Sequence, residues 1–147
     1  MSWPEPPLPV SRQALDPGVL SSSPRDVPVR RVTSDRRAHW FGYYDIAAFD
    51  RTGTKVLCCA SDFEWRAPIA SDRLEVGVID LAQGGRFATL GTSRAWSWQQ
   101  ACLLQWRPNH HSEVLRNDRI GDSPVTRINS LESGEDRGLA AAFYALS

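Results

Sequence analysis

The chain repeats itself, and that repeat limits the available folds more than any other feature. Residues 38–49, AHWFGYYDIAAF, and residues 95–106, AWSWQQACLLQW, share one layout: a small residue, an aromatic and polar cluster, then an apolar run closing on an aromatic. At a constant offset of 57 residues, Ala38 falls on Ala95, His39 on Trp96, Phe41 on Trp98 and Phe49 on Trp106. The hairpin that follows also recurs, LEVGVIDL with its turn at 82–85 being answered by VTRINS with its turn at 132–135, so that Gly134 lies 49 residues after Gly85. The offset shrinks because the first copy carries a longer polar and aromatic loop at residues 63–73. Short alternating or apolar runs separated by Gly- and Asp-containing turns read as β-strands. A unit of four such strands repeating at roughly 50 residues is the signature of a β-propeller blade.

The expected fold is therefore all-β: about two four-stranded antiparallel blades of an incomplete propeller, preceded by a disordered Pro-rich arm. Residues 1–30 form the expected flexible leader, because seven of the ten prolines fall in the first 28 residues beside Ser21, Ser22 and Ser23. The blades are expected at about 38–93 and 94–139, with a third beginning at 140–147. Within them, residues 29–33 are predicted as a short strand and residues 102–106 as an inner strand, with Asn117-Asp118 closing the strand that starts at Glu113. Because a propeller closes with about 4 to 8 blades, two blades leave strand edges bare, and a fragment that self-associates through those edges is expected.

Composition removes several function classes. Basic and acidic residues balance at 17 each, which argues against nucleic acid or an anionic membrane as partner. No apolar run reaches the roughly 18 residues of a membrane helix. The start lacks the basic and apolar pattern of a secretory signal, so the cytoplasm is the expected location. Cys58, Cys59 and Cys102 have no metal-ligand spacing and read as buried free thiols. Neither a metal nor any other cofactor is called for, and His110-His111 reads as part of a turn.

The strings HWFGYYD, RAWSWQQACLLQW, NDRIGD and FYALS resemble an uncharacterised bacterial β-propeller family of the TolB-like and oligogalacturonate-lyase-like kind. The resemblance covers residues 33–147 and implies a six- or seven-bladed ring with a link to carbohydrate chemistry. The family's His and Gln metal cluster would lie in later blades, so no ligand carries over. Asn129-Ser130 stands where the family has an Asp-Leu pair, which marks the second copy as a weakened one.

In a propeller the segment leading into each inner strand borders the central channel, where ligands bind. On that reading His39, Tyr43, Asp45, Trp96, Trp98, Gln99 and Gln100 form the candidate site, with aromatic faces for stacking and polar groups for hydroxyls. Trp96 and Trp98 read first as packing between blades and only second as ligand contacts, and Asp35, Arg36 and Arg37 read as a solvated turn. The functional expectation is a binding or interaction scaffold without a complete active site, with a saccharide or a protein as candidate partner. The alternative is a portion of a carbohydrate-active enzyme, a lyase or hydrolase.

Overall fold

A computed structural model describes residues 29–33 and 35–144; residues 1–28 of the leader expected at 1–30, and the last residues of the third copy, lie outside them. The described residues contain eight strands and no helix, hence no helix long and apolar enough to cross a membrane. They form two four-stranded antiparallel meanders. The first comprises β1 (Ala38–Trp40), β2 (Lys55–Ser61), β3 (Leu74–Asp80) and β4 (Arg86–Ser93); the second comprises β5 (Gln105–Trp106), β6 (Glu113–Ile120), β7 (Ser123–Ser130) and β8 (Asp136–Leu139). These are the two propeller-like units that the repeat predicts.

Turn chemistry fixes both copies alike. Asp50 N–H donates to Lys55 O at 2.9 Å, and Arg107 N–H donates to Glu113 O at 2.9 Å, closing the first turn of each unit. Asp50 Oδ1 also accepts the Thr54 and Lys55 amides at 2.9 and 2.8 Å. At the last turn, Gly85 N–H reaches Asp80 O and Gly134 N–H reaches Ser130 O. Both glycines hold φ near 70°, which an L side chain adopts only at a cost.

The core lies between the sheets. Leu57, Cys59, Leu74 and Val76 of the first sheet meet Val114 of the second and Ala101, Cys102 and Leu104 of the segment that leads into β5. Period-two alternation sends Cys58 to the opposite face from Cys59. Fully burying each branched side chain contributes roughly 1.5–3 kcal/mol.

Polar groups cross this interface as well. Arg116 on β6 is 2% exposed and reaches Thr92 O (3.3 Å) in the first sheet, Asn129 Oδ1 on β7 and Asp136 Oδ2 on β8 (3.2 Å). Asn129 in turn donates to Leu90 O at 3.2 Å, and Ser93 Oγ to Asn117 O at 2.7 Å. Asn129 thus joins the guanidinium of one sheet to the backbone of the other.

The structure corrects several local expectations. Residues 29–33 are irregular and form no strand. In the expected inner strand at 102–106 only Gln105 and Trp106 pair with β6; residues 101–104 form a buried loop with Ala101 and Leu103 at φ 49° and 56°. Gly42 explains the tight fit there, since a Cβ on it would lie 2.8 Å from Gln100 O. Asn117 and Asp118 sit inside β6, and the chain reverses at Gly121-Asp122. Residues 140–144 form no strand; Asn117 holds them through Phe143, accepting from its N–H at 3.0 Å and donating to its C=O at 2.7 Å.

A Cβ on Gly91 would stand 2.7 Å from the Arg116 guanidinium. Gly91→Ala should therefore lower stability by about 1–3 kcal/mol through overpacking, read as a lower urea midpoint at unchanged slope. An unchanged midpoint would show that Arg116 is free to move aside.

Candidate functional site

The inner edges of the two sheets border a cleft of about 910 Å³. The first unit contributes Tyr43, Asp45, Phe49 and Lys55, the second contributes Trp106, His110 and His111, and Tyr144 closes one side. Trp106 sets its width: its indole N–H donates across the units to Ala48 O at 3.0 Å. Tyr43 stacks on Tyr44 with centroids 4.4 Å apart and donates its hydroxyl to the Tyr44 hydroxyl at 3.4 Å. That hydrogen bond, followed by the neighbouring phenol's charge, pushes the Tyr43 hydroxyl up to about 12, so it stays a donor at neutral pH. His110 Nδ1 lies 3.5 Å from Glu113, whose carboxylate also takes Arg107 and Arg137. The Glu113 carboxyl is held below its ordinary range first by the Arg107 hydrogen bond. The cleft therefore combines aromatic faces, hydroxyl and carboxylate groups and both signs of charge.

Of the seven residues expected at the rim, Tyr43 and Asp45 line the cleft. Trp96 and Trp98 do not; they form a cluster with Trp40 and Phe63, with centroids 4.9–6.1 Å apart. Their indole N–H groups donate to Asp72 O (3.4 Å) and Arg66 O (2.6 Å), so both are fastened to loop 63–73. Packing is their role. The Trp40 indole N–H is buried without a hydrogen bond. Gln99 is exposed, and Gln100 serves through its backbone, its N–H donating to Ser97 Oγ at 3.1 Å. Neither glutamine lines the cleft.

His39 is the clearest correction. Adjacent strand residues face opposite ways, so with Trp40 turned toward the second sheet His39 points away from it. Its side chain is 6% exposed, sits edge-on to Phe87 at 5.2 Å, and bridges Asp35 Oδ1 (Nε2, 2.5 Å) and Cys58 Sγ (Nδ1, 3.6 Å). Arg37 holds Asp35 through three contacts of 3.0–3.1 Å and also pairs with Glu75. The expected solvated turn at Asp35–Arg37 is an exposed bend in which Asp35 and Arg37 are also ion-paired, Arg37 reaching Glu75 of the sheet. Cys58, His39 and Asp35 stand in the order of nucleophile, base and orienting carboxylate. Burial, then the negative charge of Asp35, nevertheless pushes the Cys58 thiol up to about 11, which leaves it protonated at neutral pH. In this state the chain of contacts positions an imidazole and does not activate a thiol. The i,i+4 spacing of Asp35 and His39 is visible in sequence; the approach of Cys58 requires the β1–β2 pairing.

No group of three His, Cys, Asp or Glu among the described residues is arranged to hold a metal. Compared with protein-family models, curated proteins and solved structures, the chain matches none.

Cys59 and Cys102 are sealed in the core between the sheets, and their mutual hydrogen bond, then burial, raises the Cys59 thiol. Iodoacetamide should therefore modify Cys58 first, with a rate that climbs as pH rises toward 11. Fragment-ion mass spectrometry would check this; modification of Cys59 or Cys102 ahead of Cys58 would contradict it.

Proposed function

We propose that this chain is a non-catalytic binding scaffold built from two propeller-like units of the TolB-like kind, and that its ligand seats in the cleft between their inner edges. The carrying observation is that one cleft draws Tyr43 and Asp45 from the first unit and Trp106, His110 and His111 from the second. A ligand there engages both copies at once. Aromatic rings beside carboxylate, imidazole and ammonium groups suit a saccharide, which offers C–H faces for stacking and hydroxyls for hydrogen bonds. Arg107 and Glu113 pair with each other, and Asp50 is taken up by its own turn, so the polar groups in reach of a ligand include Asp45, Arg51, Lys55, Asn109 and His111. A reducing, cytoplasmic setting is supported by three free, buried thiols.

Retention on a panel of immobilised oligosaccharides tests the reading. Tyr43→Ala and Asp45→Asn should each weaken retention roughly tenfold, the scale of about 1.4 kcal/mol. Trp65→Ala, remote from the cleft lining, should leave it unchanged. Equal retention of all three variants and the unsubstituted chain would remove the saccharide.

A further inference from the structure

Loop 63–73, between β2 and β3, is long, polar in sequence and yet tightly braced. The Arg66 guanidinium lies over the Phe63 ring at 3.5 Å and grips Asp72 with two bonds of 2.6 and 2.9 Å. Asp72 Oδ2 also accepts the Ile69 amide at 2.8 Å. From below, the Trp98 and Trp96 indoles donate to the Arg66 and Asp72 carbonyls. The groups that would resist desolvation are therefore satisfied within the loop and its base. The Arg66 hydrogen bond comes first in pulling the Asp72 carboxyl down to about 2, so the clasp is intact wherever the protein is folded near neutrality.

What this frame presents outward is apolar. Trp65 is 90% exposed and Ile69 63%, with Ala67 and Ala70 exposed beside them. Trp65 also holds φ at 66°, a left-handed conformation that costs a non-glycine residue stability and that the surrounding bonds must sustain. A tryptophan with both ring faces in water is a knob, whereas a sugar platform keeps one face against the protein. Pre-ordered Trp and Arg residues of this kind are the usual anchors of protein contacts.

The charges beside the knob indicate its partner. Glu64 and Arg73, at opposite ends of the loop, are exposed, and no contact to either is found among the described residues. The opposite charges of Glu64 and Arg73 and the paired apolar groups Trp65 and Ile69 are the self-complementary set that an isologous contact between two copies requires, Arg73 of one meeting Glu64 of the other and Ile69 of one covering Trp65 of the other. We propose that loop 63–73 is a homotypic docking loop that joins two copies of this chain, with Trp65 as anchor and Glu64–Arg73 pairs setting the two-fold register. One loop set against its copy is a small contact beside the roughly 800 Å² per partner of a stable interface, so the dimer is weak and concentration-dependent. This proposal is independent of the saccharide cleft.

Sedimentation velocity over a wide concentration series tests it. The unsubstituted chain should shift from monomer to dimer, and Trp65→Ser should lower the association constant at least tenfold while leaving the far-ultraviolet circular dichroism unchanged. Glu64→Arg should weaken association, and Glu64→Arg combined with Arg73→Glu should restore it. A chain that stays monomeric throughout would overturn the proposal. So would a Trp65→Ser variant that associates as before, which would place the contact on an open strand edge. Failure of the double charge swap to restore dimers would overturn the two-fold register.

Discussion

Everything in this structure depends on a cation placed between two sheets. Arg116 leaves water on β6, and a buried guanidinium without partners costs several kcal/mol. Its partners are split between the units: Thr92 O belongs to β4, whereas Asn129 and Asp136 belong to β7 and β8. Gly91 leaves the space that the guanidinium fills, and Arg127 shares Asp136 at 2.8 Å. Burial works to raise the Asp136 carboxyl, but the hydrogen bond and charge of Arg127 and Arg116 outweigh it and hold the group below its ordinary range. An apolar interface tolerates sliding by a residue pair. One with a buried charge satisfied by both sides has a single register.

That register positions the cleft. With the sheets locked at β4 and β6, the inner strands come side by side and Trp106 reaches Ala48 O. The gap that remains beyond this bond is the cleft. At the other end of β2, the aromatic cluster of Trp40, Phe63, Trp96 and Trp98 packs against the irregular lead-in to β5 and fastens loop 63–73. Trp96 and Trp98, which most resemble a binding site in sequence, therefore do mechanical work, and the groups that line the cleft are less conspicuous in sequence.

The repeat was legible because turns carry it. Asp50, Gly53, Gly85 and Gly134 each satisfy a local geometric demand, and such demands show in a single sequence. Positions decided by tertiary contacts were not legible. Residues 101–104 are as apolar as a strand, and only the close approach of Gly42 to Gln100 reveals why they coil. Asn117-Asp118 has the composition of a turn, yet Asn117 clamps Phe143 and Asp118 accepts the Arg94 amide, so both sit within a strand. The offset of 57 residues aligned His39 with the rim; it carried no information about which face β1 turns outward. Tyr43 and Asp45, on the irregular segment after β1, line the cleft, as do Lys55 and His111, which in sequence read as strand and turn residues only.

Arg116 makes the two units one cooperative body, and native-state hydrogen exchange of Arg116→Ala tests that most directly. The amides of β2 and β3 should lose protection by the same free energy as those of β6 and β7, although the substitution lies in the second unit alone. Loss confined to β6 and β7, with β2 and β3 unmoved, would contradict it.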